Sequence, residues 1–468
     1  MSEPLKVARA APGSERTLLA ERWSSAAPGS ARLAAEARRL APGGASHDAR
    51  QMNPHGVFIA SAQGGVKIDV DGRRYVDLVS GHGAILMGHA REEILAAVHA
   101  AADAGFHFGA ASENEIRWAE LVQTLIPSAE RVRFTASGSE ASLLALVLSV
   151  RCRRRPPVLT LKGHYAGWAA GAAFERVSPQ RAMALAPEAF GPVVVEADCA
   201  ESASELLASG AFAALLVEPT GASFGKAPLP ADALVGLVEA ARAGETLVIF
   251  DETITGFRVA PGGAQAALGV APDLTILGKI LGGGLPCGAL AGRAEIMDLL
   301  DNSPSASDRP VVLSHMGTAN GNPVVAAAGV ATLQSLRDGA ACAQAEKSAA
   351  ALRAALNEAF ARKQLAWAAY GAFSGVHLFL NPYERGIDSA SFDVSALPSD
   401  ELLRRDGVLI NALRIALLTE GVDINPWPGG LTTAAHTGAD IEAVATGVER
   451  AIDALREARL ALTGWGAA

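Results

Sequence analysis

The 468 residues are 50% hydrophobic and 19% charged, apolar material for large buried cores in roughly two or three domains. A net charge of −9 without a long basic run argues against nucleic acid and anionic membrane as partners. No apolar run is long enough for a transmembrane helix, and Cys152, Cys199, Cys287 and Cys342 lie far apart with no zinc-like spacing. Free thiols, no metal site and a cytoplasmic setting are therefore expected.

Residues 1–30, rich in Ala, Ser and Arg, read as a flexible or helical extension; Glu3, Glu15 and Glu21 argue against a transit peptide. Ser30 is placed to cap a helix over Ala31–Leu40, which Pro42-Gly43-Gly44 ends. Arg50 follows in PGGASHDAR; its guanidinium suits a carboxylate, and a solvated surface arginine is the plain alternative. VKIDVDGRRYVDLVSG predicts a hairpin about Asp71-Gly72, and Arg91–Ala104 a helix. From about Glu113 to Asn320, apolar runs at Val132–Thr135, Val158–Leu161, Leu215–Val217, Leu247–Phe250 and Thr275–Leu277 alternate with helical patterns. That alternation predicts an α/β fold with a mostly parallel central sheet. After Pro323 come long Ala/Leu helices, a strand pair near Ala372–Leu380 and Gly430–His436, and an amphipathic helix over Ile441–Leu460. The expected division is a large domain over 85–323 and a smaller α+β domain from 31–84 and 324–468.

The chemistry concentrates between Val248 and Arg293. One buried-strand pattern ends at Asp251 and another at Gly278-Lys279, and functional side chains of parallel sheets gather at strand ends. A buried lysine loses basicity and becomes an amine nucleophile, while a carboxylate at a neighbouring strand end can hold a pyridine nitrogen protonated. Those are the two fixed points pyridoxal phosphate requires; a buried Lys–Asp ion pair is the other reading of the same residues. Val132–Thr135 runs into Ser137-Gly138-Ser139 at the start of a helical pattern, where free N–H groups suit a phosphate. Taken by itself, that segment is more commonly an ordinary serine N-cap.

FDETITGFRVAPGGAQ, PDLTILGKILGGGLPCGALAGR and GTANGNP closely resemble the class III PLP-dependent aminotransferases of fold type I, and within them the glutamate-1-semialdehyde aminomutase branch. The resemblance covers the chain from about Ala31 onward. It implies pyridoxal 5′-phosphate on Lys279, with Asp251 at the ring nitrogen and Ser137, Gly138 and Ser139 at the phosphate. It places Tyr165 on the ring face, with Glu218, Ser223 and Thr253 around the cofactor. Thr318 would reach the phosphate bound to a partner subunit, so a homodimer with shared sites is expected, and Arg50 would bind the substrate carboxylate.

Three departures from the aminomutase pattern touch substrate handling. AAGAAFERVSPQRAMALAP stands where mutases carry a Gly/Ser/Thr-rich gating segment; Pro428 stands where they carry a glutamate; His82 replaces their usual tryptophan. Ile415–Glu449 holds no arginine for a second carboxylate, leaving Arg258 as a candidate, or as the partner of Glu252 or Glu218 in an ion pair. The expected activity is ping-pong transfer of an amino group from an amine or amino acid to a keto acid or aldehyde. An intramolecular aminomutase or racemase is the alternative, and a catalytically silent PLP-fold binding protein a weaker one.

Overall fold

The computed structural model describes residues 14–165, 167–168, 193–303 and 313–467. Strands β1 (Ile59–Gln63), β2 (Val66–Asp69) and β3 (Arg74–Asp77) form an N-terminal meander, with the Asp71-Gly72 turn between β2 and β3. Next come β4 (Arg131–Thr135), β5 (Pro157–Leu161), β6 (Val193–Ala197), β7 (Ala214–Val217), the short β8 (Ala227–Pro228), β9 (Leu247–Asp251), β10 (Leu274–Gly278) and β11 (Gly288–Gly292). All but β8 join one seven-stranded sheet in the order β4-β11-β10-β9-β7-β5-β6.

In this sheet β10, β9, β7, β5 and β6 pair parallel, and β11 runs against both β10 and β4. β4, β5, β7, β9 and β10 consequently deliver their C-terminal ends to one edge. β5, β7, β9 and β10 are buried at every residue, which is why they read as unbroken apolar runs. Helix Gly138–Arg153 covers one face through Leu144, Leu146 and Leu148; helix Ala231–Ala243 covers the other through Leu234, Leu237 and Val238. Each such leucine contributes about 1.5–3 kcal/mol of burial, so helix and strand hold each other in place.

A smaller domain contains β12 (Ala368–Tyr370), β13 (Gly375–Phe379), β14 (Val422–Asp423) and β15 (Gly429–Leu431). β12, β13 and β15 pair antiparallel, while β14 extends the N-terminal meander beside β3. Helices Ala340–Arg362, Gly407–Thr419 and Gly438–Glu457 complete it, while helix Pro323–Leu336 packs through Ala326, Leu333 and Leu336 in the core that holds Trp118, Val122 and Leu281. The helix expected to start after Ser30 begins at Pro28 instead. Ser30 is buried inside it, with its hydroxyl accepting from Phe58 N, and proline at the first position supplies the start. A preceding helix, Ser14–Ala26, inserts Trp23 fully into the small-domain core. No helix among the described residues is long and apolar enough to cross a membrane.

Candidate active site

Five strand ends supply the candidate site. Asp251 closes β9, and its register partner on β10 is Ile276, three residues before Lys279. Lys279 therefore stands at most about 10 Å further along the same edge, a gap that a lysine side chain and an aromatic ring together span. Lys279 takes φ +54, a backbone conformation that costs an L-residue about 1–2 kcal/mol and turns its side chain off the strand into a 3-10 turn.

The electrostatics follow from burial. Desolvation pulls the Lys279 amine down to about 8, against the opposing charges of Asp251 and Glu218, and the Arg258 cation adds to the fall. Burial raises Asp251 above the usual carboxylate range, although it accepts from Thr253 N at 2.9 Å. Each group perturbs the other, yet no ion pair joins them among the described residues. Asp251 is thus a buried carboxylate without a cation in contact among the described residues, an acceptor that a protonated ring nitrogen fits.

Ser137 caps helix Gly138–Arg153, its hydroxyl accepting from Glu140 N at 3.2 Å, so the plain N-cap reading describes that oxygen. The helix start also packs against the strand ends. The Thr253 Cγ2 methyl lies 3.1 Å from where a β-carbon would sit at Gly138 and 3.2 Å from its place at Gly278. A β-carbon at Gly288 would lie 2.2 Å from the Ser137 carbonyl oxygen, so β11 passes beneath this turn only as glycine. Thr253 thus sits where the serine turn, the Asp251 strand and the Lys279 strand converge.

Glu218, following β7, is a buried hub. Its carboxylate accepts from the backbone N–H groups of Tyr165 (2.7 Å), Ser223 (3.2 Å) and Phe224 (3.3 Å). Burial, with Asp251 nearby, pushes it up to about 7. Its own N–H donates to His164 Nδ1 at 2.9 Å, and burial keeps that imidazole neutral by pulling it down to about 4. Tyr165 is 51% exposed.

On the substrate side, His82 stacks on His47 (5.0 Å between centroids, 6° between planes), with Trp427 tilted against it at 6.0 Å. His82 Nδ1 pairs with Asn425 Oδ1 at 3.2 Å. Burial first, then the charges of His47, Lys279 and Arg50, pull His82 down to about 4. Its neighbours therefore tie Arg50 to the same region, on an exposed turn whose Ala49 carbonyl accepts from Arg414. Sequence reasoning missed His47, Asn425 and Trp427; the aromatic lost at position 82 was the one available signal.

Arg258 departs from expectation. It does not pair with Glu252 or Glu218 but donates to three carbonyl oxygens and a serine hydroxyl. Glu252 is satisfied by Ala264 N, Gln265 and Thr255. Thr318 is exposed on a loop held by His107 Nε2, which donates to its carbonyl at 2.5 Å, and touches none of the residues above within this chain. The segment AAGAAFERVSPQRAMALAP, residues 169–187, lies outside the described residues.

A family model, Aminotransferase class-III, matches residues 47–390. The chain belongs to the class-III aminotransferases. Among relatives of this family, the glutamate-1-semialdehyde 2,1-aminomutase 2 of Brevibacillus brevis is 34% identical over 443 residues, 92% of this chain and 98% of that one. The β-phenylalanine aminotransferase of Variovorax paradoxus superposes with a TM-score of 0.79 at 29% identity, covering 94% of this chain and 97% of its own. A transaminase solved with PLP bound gives 0.78 at 27% identity, covering 92% and 99%. The cofactor of this class-III enzyme is pyridoxal phosphate, and the lysine, carboxylate and helix start described above fit its aldehyde, ring nitrogen and phosphate.

Proposed function

We infer that this enzyme is a ping-pong transaminase, moving an amino group from an amine or amino acid to a keto acid or aldehyde. Pyridoxal phosphate supplies an aldehyde that condenses with amines and a ring that accepts the electron pair released at the substrate carbon. Lys279, drawn to about 8, would hold the cofactor through its aldehyde, and its amine would serve as the base that moves the proton at the substrate carbon. Asp251 keeps the ring nitrogen protonated, and that cation relieves the carboxylate's buried charge. The N–H groups and hydroxyls of Ser137, Gly138 and Ser139 bind the phosphate. Tyr165 covers the ring, Thr253 packs beneath it, and Glu218 fixes the backbone of both Tyr165 and Ser223. Arg50 binds a substrate carboxylate, and neutral His82 lines the pocket beside it.

A homodimer completes the site by bringing Thr318 to the partner's phosphate. Exposed Phe106, Phe108, Ile116 and Met316 around the Thr318 loop support that reading. The same reading divides the chain near 84 and 323 and places it in the cytoplasm, where its four free cysteines are at home.

One observation carries the transaminase reading: His47, His82, Asn425 and Trp427 form one cluster, in which His82 feels the Lys279 charge, and residues 424–431, Pro428 included, hold no carboxylate. The names of the curated relatives favour a second reading, an intramolecular aminomutase. Acceptor dependence separates them. With amines offered in turn, the transaminase converts the cofactor absorbance near roughly 410–430 nm and turns over only when a keto acid or aldehyde is added. Sustained isomerisation without any acceptor contradicts it.

A further inference from the structure

Arg258 is 1% exposed and carries no acidic partner among the described residues. Its Nη1 donates to Ser374 Oγ (3.1 Å) and Thr432 O (3.2 Å); its Nη2 donates to Gly83 O (3.0 Å) and Ile85 O (2.8 Å). Nε has no partner. A guanidinium stripped of water is ordinarily matched by a carboxylate, because the desolvation penalty of several kcal/mol is otherwise uncompensated. Here partial charges from three chain segments do that work. Burial lowers Arg258 only to about 10, so it stays charged at neutral pH.

One of these segments, at Gly83, borders Lys279 directly. A β-carbon at Gly83 would lie 3.6 Å from Lys279 Cδ and 3.1 Å from Leu431 Cδ1, so the lysine's aliphatic stem runs against the Gly83 backbone. Ser80 Oγ donates to Leu431 O at 3.0 Å, and Thr432 N donates to Ser374 O at 3.0 Å, making one wall of the pieces Arg258 holds.

We propose that Arg258 is the positioning residue of the cofactor lysine, clamping the backbone wall along which Lys279 lies and setting an unneutralised positive charge beside its amine. The proposal rests on Lys279 as the cofactor lysine; a Lys279→Ala chain that kept the cofactor absorbance would defeat that premise and not the clamp. Among the described residues, the charged and titratable groups facing Lys279 are Asp251, Glu218, Arg258 and His82.

The test is the pH titration of cofactor absorbance in the holoenzyme, with kcat/KM alongside, for the wild type, Arg258→Met and Arg258→Lys. Removing a cation favours the protonated nitrogen of Lys279, so Arg258→Met should move the midpoint upward by roughly half a unit to one unit. Arg258→Lys keeps the charge without the fork, so its midpoint should hold while kcat/KM falls about tenfold or more. A purely structural role would lower Tm and leave the Met midpoint where it was, which overturns the charge. Should Arg258→Met fail to fold, Arg258→Lys decides: wild-type kcat/KM overturns the clamp, and a loss at an unmoved midpoint upholds it.

Discussion

Two lysines lie inside this chain with depressed basicity, and their surroundings separate them. Lys279, drawn to about 8, has Asp251 and Glu218 pulling the other way. Lys226, 1% exposed and drawn to about 7 by burial, has the Arg405 cation and the buried His377 near it and no acidic partner among the described residues. With its folded value below its ordinary 10.5, the folded chain binds fewer protons between about 7 and 10.5. Stability from this group therefore rises with pH across that window, and its penalty is complete below about 7. Lys226→Met should raise Tm by roughly a few degrees at pH 6–7, with the gain shrinking toward pH 10. A fall in Tm at pH 7 in thermal denaturation would contradict it. At this scale Lys279, Asp251 and Ser137 are legible in the sequence because each ends a strand or opens a helix. Arg258, His47 and Asn425 are not, because their partners lie between 35 and 343 positions away along the chain.

Among the elements, uniformly apolar strands are easy to find and less apolar ones are not. β11, Gly-Ala-Leu-Ala-Gly, lacks β-branched residues and was no part of the expected set, yet it stands second in the sheet because a small strand fits beneath the Ser137 turn. The Thr318 loop shows the same reach. Asn322 Nδ2 donates to Phe106 O at 2.8 Å and His107 to Thr318 O, gathering Phe106 (72% exposed), Phe108, Ile116 and Met316 (89% exposed) on one surface. Apolar groups so placed are commonly covered by another chain. If a second copy covers them, F106D combined with F108D yields monomers in sedimentation velocity and loses most activity. A wild type that sediments as a monomer, or a double variant that stays dimeric and active, would contradict the shared site.

For the whole molecule, the α/β alternation, the parallel sheet and the smaller domain are legible as periodicity. The closure of that smaller domain is not: its core draws Trp23 from the N-terminal helix together with Trp367, Leu413 and Ile452. No local pattern within an Ala/Ser/Arg-rich stretch announces a tryptophan destined for a core several hundred residues away. The sheet brings amine, carboxylate and helix start to one edge, and the function depends on that convergence. The most direct measurement is borohydride reduction of the holoenzyme followed by peptide mass mapping. The account predicts one cofactor-sized mass addition, on the peptide containing Lys279; the addition on Lys226 or another lysine, with Lys279 unmodified, would contradict it.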